Sequence, residues 1–329
     1  MATISIILAV YNGEKEVEHC LATLQNQTFQ DIEIICVDDG STDNTLAILK
    51  QHADTDPRVK VYAQGENKKL LMAIKRGVKE ATGDYIMFID ADDWYEADAC
   101  EKVADVIAAD HPDVVYFGTN PVEPEEEERQ DVRENRRELL RSYDWKFTGD
   151  NTLGLEFIKY TYLWNKAVKA DVCRAAYDAI PDIPMLFHSD MYACQMIHYY
   201  AKSLSCISDN LLNHDYSDGI SAKPNMTAES YDFFCKCTRM YEDGVADFFE
   251  KHGLVSELKH FKDGYLDRLM LCIIRWRDKV IDEESWEALE SLLSYYDPKD
   301  VVPMLKHNYH EVNIARRKHL KMLQDNNLK

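Results

Sequence analysis

Three carboxylates crowd into four positions at Asp90-Ala91-Asp92-Asp93, directly after the apolar run Tyr85-Ile86-Met87-Phe88-Ile89. On an extended chain residues two apart face the same side, so Asp90 and Asp92 are expected to point together across the small Ala91. Paired carboxylate oxygens suit a hard divalent cation, Mn2+ or Mg2+, which would in turn hold a diphosphate. The competing expectation is that these aspartates only cap the next helix and close a turn. A second acidic run, Asp38-Asp39-Gly40-Ser41-Thr42-Asp43, follows the apolar stretch ending at Val37. Gly40 fits a tight turn and Ser41 or Asp43 a helix cap, while a carboxylate at this place can also accept hydrogen bonds from a base N–H or a ribose hydroxyl.

These residues need elements to hold them. Apolar runs at Ile4 to Val10, Ile32 to Val37, Val59 to Ala63, Tyr85 to Ile89 and Val114 to Phe117 read as strands. Their near-continuous apolarity predicts parallel strands covered on both faces. Segments with helical spacing intervene, at about Glu14 to Asn26, Asp43 to Ala53, Lys68 to Ala81 and Ala97 to Ala109. The alternation predicts an α/β, doubly wound, mainly parallel sheet. In such sheets ligands sit beyond the carboxyl ends of the strands, where Ala9-Val10-Tyr11-Asn12-Gly13 and both acidic runs stand.

Residues 1–120, which carry this repeated strand-helix pattern, are expected to form the first half of the main domain. Residues 121–141, opening PVEPEEEERQ, read as a charged, mobile insert. Residues 142–221 read as a mixed region that completes the main domain, and 222–329 read as a helical C-terminal subdomain. The formal charge of −21 argues against nucleic acid as a partner, because phosphates would be repelled. Nine cysteines without a CxxC pair suggest reduced thiols, and with no basic leader and no long apolar window the chain is expected to be cytoplasmic. The last 29 residues, Val301 to Lys329, run against the overall charge, with six basic and two acidic side chains. Two readings stand for them: a basic helix packed on the acidic body, or a peripheral contact with anionic lipid on the inner face of a membrane.

SIILAVYNGE, IICVDDGSTDNT and ENKKLLMAIKRGVKEATGDYIMFIDADDWY together closely resemble the family 2 glycosyltransferases, through about the first 110 residues. Leu163-Trp164-Asn165-Lys166 and His188-Ser189-Asp190-Met191-Tyr192 extend the likeness more weakly. The resemblance implies a GT-A fold and an inverting, metal-dependent transfer of a sugar, hexosyl or N-acetylhexosaminyl, from a nucleotide donor. A UDP-sugar donor and a glycan or lipid-linked acceptor, as in surface polysaccharide or glycoconjugate synthesis, are the expected partners. Carried over by position, Ala9, Tyr11, Asn12, Asp39, Lys75, Asp90, Ala91 and Asp92 would bind the nucleotide sugar. Within that set Asp39 would contact the base, Asp90 the ribose and Asp92 the metal. Asp190 would be the general base, which fits a carboxylate opposite a departing diphosphate.

The chain departs from the family pattern in three places. Ser189 stands where a glutamate is usual before the base, Ala73-Ile74-Lys75 replaces ARN, and His214 stands where arginine is common. His214 is accordingly a candidate for phosphate or metal, or a structural histidine. Trp94, Trp164, Tyr162 and Tyr192 are candidates for stacking on sugar rings, against the commoner role of such aromatics in a core. These departures leave a second function class open, a non-catalytic sugar-nucleotide-binding protein. A phosphoacceptor receiver domain is excluded, since the first strand ends in Tyr11-Asn12 rather than an acidic pair and the fifth in Gly118-Thr119 rather than a lysine.

Overall fold

The structure, a computed structural model, describes residues 3–122, 162–215, 227–254 and 294. The chain divides into two compact units, Met1–Ala222 and Lys223–Lys329. Nearly all of the charged insert, residues 123–141, and the whole basic stretch from Val301 lie outside the described residues.

The first unit is built on an eight-stranded sheet. In chain order its strands are β1 (Ile4–Val10), β2 (Ile32–Asp38), β3 (Val59–Ala63), β4 (Tyr85–Ile89), β5 (Trp94–Tyr95), β6 (Val114–Val122), β7 (Lys166–Lys169) and β8 (Leu204–Asp215). Their spatial order is β3-β2-β1-β4-β7-β6-β8-β5. Among the described residues of this unit the helices are α1 (Val17–Gln25), α2 (Thr45–Thr55), α3 (Leu70–Glu80), α4 (Ala99–Asp110), α5 (Ala170–Ala179) and α6 (Ser189–Tyr200). All five apolar runs are strands, and all four helical segments are helices within two or three residues of their expected ends.

Continuous apolarity does what it should in β1, β2 and β4. Ile4, Ile6 and Leu8 join one core cluster with Leu21 and Leu24 of α1 and with Ile34, Cys36, Met87 and Ile89. The alternate residues Ile7, Ile35, Val37, Ile86 and Phe88 are buried as well. Ile7 lies so close under α3 that a Cβ on Gly77 would fall 2.5 Å from its Cγ2. A strand buried on both faces has no polar side to show, which is why its sequence does not alternate.

The sheet is mainly parallel, as expected, but β7 lies between β4 and β6 and is antiparallel to both. A four-residue strand beginning with a lysine, Lys166-Ala-Val-Lys169, is too short to announce itself, and tertiary pairing decides its place. Beyond it β8 runs parallel to β6, with the register shifting around Gly118, and β5 pairs antiparallel with the far end of β8.

Register determines what the strands present at one edge. Val10 lies beside Asp38, and Leu8 beside Ile89. Tyr11, Asp39 and Asp90, each the first residue past its strand, therefore open the three loops of the same carboxyl edge. At the other end of the unit's described chain, pairing of Trp94 with Asn213 brings the segment after β4 against the end of β8.

Within the second unit one helix is described, α7 (Ala228–Lys251), in the stretch where helical periodicity resumes at Thr227. The Thr227 side chain accepts a hydrogen bond from the Ser230 N–H, capping a free donor of the first turn. Its buried face includes Tyr231, Phe234, Cys235, Thr238, Tyr241, Val245 and Phe248. These recur three and four apart. Among the described residues no helix is long and apolar enough to cross a membrane.

Candidate active site

The loop after β1 and the loop after β2 are sewn together. Asn12, in a left-handed conformation with φ 53°, accepts the Thr42 N–H at 2.8 Å on its side-chain oxygen, and its own N–H donates to Ser41 Oγ at 3.0 Å. Asn tolerates positive φ better than other non-glycine residues. Asp43 accepts from the Thr45 N–H at 3.0 Å and the Glu14 N–H at 3.2 Å, so it serves both the start of α2 and the neighbouring loop. Gly40 turns at φ 75°, and a Cβ there would stand 2.5 Å from the Glu66 carbonyl carbon. The close approach brings residues 64–68 to Asp39. That buried carboxylate accepts the Gln64 side-chain N–H and the Lys68 backbone N–H, each at 2.7 Å. Burial raises its pKa, against the downward pull of those two donors.

After β4 the chain turns instead of continuing as a strand, with the Asp93 N–H donating to the Asp90 carbonyl at 3.1 Å. The expectation that Asp90 and Asp92 face together along extended backbone is corrected: the strand ends at Ile89 because a tight turn follows. The turn gathers one carboxylate oxygen from each of Asp90, Asp92 and Asp93 within 4.8 Å of one another. Burial pushes Asp90 well above the usual carboxylate range, and Asp93, Asp190 and Asp92 push it further. Burial, then Asp93, takes Asp92 up to about 6. Repelling carboxylates held this close favour a cation, and an all-oxygen set fits a hard divalent ion.

Asp93 has no solvent exposure, and β8 reaches it from 121 residues away. His214 Nδ1 lies 2.8 and 2.9 Å from its two oxygens, and the Asp215 N–H donates to it at 3.0 Å. His214 thus meets the acidic cluster through Asp93 with this nitrogen. Sequence reasoning, which paired His214 with Asp92 at the metal, gave Asp93 no first role; the sign available was a third acid in the run.

Asp190 stands in the first turn of α6, after His188 at φ 62°. It shares a small cavity with Ala9, Ile74, Asp90, Leu163 and Trp164. Burial raises it to about 6, while the Leu163 N–H, the Lys166 ammonium, Ser189 and His214 pull the other way. Lys166 is itself fully buried; its Nζ donates to the Tyr162 carbonyl and, at 3.0 Å, to Asn165 Oδ1, and sits 4.6 Å over the Tyr116 ring. Burial lowers its pKa.

The remaining candidates are placed as follows. Tyr11 is 47% exposed at the edge, and Ala91 packs partly buried against the core. Lys75 is turned to the far end of α5, where its Nζ meets the Ile180 carbonyl and Asp182, both at 2.6 Å. Ile74, in place of the family's arginine, lines the cavity.

Residues 5–163 match the family profile for glycosyl transferase family 2. EpsH of Bacillus subtilis (strain 168) is 30% identical over 220 residues, 64% of this chain and 60% of its own length. Chondroitin synthase of Escherichia coli is 38% identical over 117 residues, 36% of this chain and 17% of the enzyme. The chain thus spans less than two thirds of these curated relatives. In space it resembles S. aureus TarS 1–349 in complex with UDP-GlcNAc, at TM-score 0.57 and 18% identity over 97% of this chain and 88% of that one. The mannosyltransferase PcManGT from Pyrobaculum calidifontis, in complex with GDP-Man and Mn2+, gives TM-score 0.53 and 14% identity over 97% and 83% of the two chains. At such identities the likeness bears on the fold, which is GT-A, and it agrees with the motifs at the carboxyl edge: residues 5–163 match glycosyl transferase family 2.

Proposed function

We propose that the chain transfers a sugar, with inversion, from a nucleotide donor to a hydroxyl of a glycan or lipid-linked acceptor. The observation that carries this reading is one cavity lined by Asp90 of the acidic turn and by Asp190 of α6. Asp39 and the loop it holds would seat the base, and Asp90 the ribose. Asp90 and Asp92 would hold Mn2+ or Mg2+, with Asp93 fixed behind them by His214. The bound ion would supply charge to stabilise the diphosphate as it leaves.

Asp190 takes the proton of the attacking hydroxyl while the bond from the anomeric carbon to the diphosphate oxygen breaks on the opposite face. A carboxyl with a pKa of about 6 is mostly ionised at neutral pH yet more basic than an exposed aspartate, which suits this task. The solved neighbours bind UDP-GlcNAc and GDP-Man, and the relatives include a chondroitin synthase; a UDP-sugar donor and a polysaccharide acceptor are in keeping with both.

The test is nucleotide release from UDP-Glc, UDP-GlcNAc and GDP-Man, with Mn2+ and with EDTA. Release from a UDP-sugar that needs the metal, and that Asp92→Ala abolishes, supports the proposal. Tight nucleotide binding without release from any donor would leave a non-catalytic sugar-nucleotide-binding protein instead.

A further inference from the structure

Lys166 opens β7 with no exposed surface and is followed by the buried Ala167 and Val168. Taking an ammonium out of water is costly, and an apolar side chain of similar volume in its place is often neutral or stabilising. Stability therefore does not account for a lysine at this position. The ammonium instead holds the segment that precedes it. Nζ donates to the Tyr162 carbonyl and, at 3.0 Å, to Asn165 Oδ1, and the Tyr116 ring of β6 lies 4.6 Å away. One cation thus fixes both ends of residues 162–165.

That segment forms one wall around Asp190. The Leu163 N–H donates to the Asp190 carboxylate, and Leu163 and Trp164 line the cavity that Asp190 shares with Asp90. Lys166 also reaches α6 directly. Its ammonium meets Cys194, four residues beyond Asp190 and so on the same face of the helix, one turn along. Lys166 therefore touches both elements that hold the carboxylate, the 162–165 segment and α6. Its positive charge also draws Asp190 toward the ionised form, against the burial that raises it. With no exposed surface of its own, Lys166 acts through these neighbours and not on a substrate. Such support matters for rate, because a reacting group displaced by about 1 Å can lose about 100-fold.

We propose that Lys166 is a positioning residue for the transfer reaction: its buried ammonium locks residues 162–165 against α6 in the arrangement that aims Asp190 at the attacking hydroxyl. This rests on the reaction proposed above, with Asp190 as its base. The experiment is a double-mutant cycle of Lys166→Met and Asp190→Asn. It reads Mn2+-dependent nucleotide release from UDP-Glc, UDP-GlcNAc and GDP-Man with water as the acceptor, and UDP affinity and melting temperature in parallel. Methionine fills the volume of the lysine stem without its charge. Lys166→Met is expected to lower kcat about 10- to 100-fold, to leave KM and UDP affinity within about twofold, and to keep or raise the melting temperature. In the Asp190→Asn background the same substitution should leave the residual rate unchanged, because the base it positions is gone. A wild-type kcat in Lys166→Met overturns the proposal, and so does an equal fractional loss in both backgrounds, which would place the effect apart from the base. Melting temperature and UDP affinity that fall together with kcat would assign Lys166 to the fold alone and overturn it as well. A wild type that releases no nucleotide from any donor, or a wild-type rate in Asp190→Asn, would instead refute the transfer reading or its base, and the role of Lys166 with it.

Discussion

Replacing Glu33 by glutamine should remove a pH-dependent part of the stability of the first unit. Glu33 lies in β2, 5% exposed, at the end of the sheet opposite the acidic turn. Its carboxylate accepts from Ser5 Oγ and Lys60 Nζ at 2.5 Å, the Thr82 N–H at 2.6 Å and the Gly83 N–H at 3.2 Å. It thereby ties β1, β2, β3 and the turn before β4 to one point. Burial alone would raise its pKa, but Lys60, Ser5 and Thr82 outweigh burial and lower it from 4.5 to about 2. At 1.36 kcal/mol per pH unit this corresponds to about 3 kcal/mol, an upper figure because the Lys60 side chain is 40% exposed and its share is screened by water. The folded state binds its proton less readily than the unfolded chain, so the contribution is complete above about pH 5.5 and declines as pH falls toward 2. In urea unfolding the gap between wild type and Glu33→Gln should be about 2–3 kcal/mol at pH 7 and about 1 kcal/mol smaller at pH 3.5. A gap that stays constant over this range would show that the carboxylate's charge does not hold the four segments together.

Three further outcomes are expected. Asp39→Ala should weaken UDP binding by roughly 1–3 kcal/mol in calorimetry, for a lost hydrogen bond to the nucleotide and a loosened 64–68 segment; wild-type affinity would make Asp39 a turn residue only. Asp190→Asn should retain UDP affinity and lose nearly all transfer, since the amide cannot take the acceptor proton, and the wild-type rate should fall about tenfold per pH unit below about 6 as Asp190 protonates. Substantial transfer by this variant, or a flat rate from pH 7 to 5, would move the base elsewhere. Gly40→Ala should lower thermal stability by about 1–3 kcal/mol, because φ 75° and the nearby Glu66 backbone both oppose a Cβ; an unchanged melting temperature would mean the loop rearranges without cost.

The parallel half of the sheet was legible because burial on both faces writes itself as unbroken apolar runs, and the loops after β1, β2 and β4 were legible because the register of parallel strands brings their ends to one edge. What lay hidden depended on contacts between distant segments. The pairing of β5 with β8 sets Asp93 against His214, and neither residue's neighbours in sequence record the other. Lys166 reads as a surface charge by type, yet its ammonium is enclosed by Tyr162, Asn165 and Tyr116. The turn at Asp90 to Asp93 was misread as extended because alternation in a short acidic segment looks alike in both conformations. That Trp164 and Tyr192 are buried is likewise a property of packing, and no spacing rule reads it.

The antiparallel strand between β4 and β6 has a consequence for how the chain is made. β1 to β4 are complete once residue 89 has emerged, yet the outer edge of β4 is covered by Lys166–Lys169, roughly 80 residues later. At about 5–20 residues per second, translation leaves that edge waiting for several seconds. During this interval the nascent protein presents an apolar strand, Tyr-Ile-Met-Phe-Ile, paired with β1 on one side and open on the other, able to template pairing with another chain. Ribosome-bound intermediates ending between residues 90 and 165 should therefore be the forms most dependent on chaperones, and slowing translation across that interval should lower the yield of soluble protein.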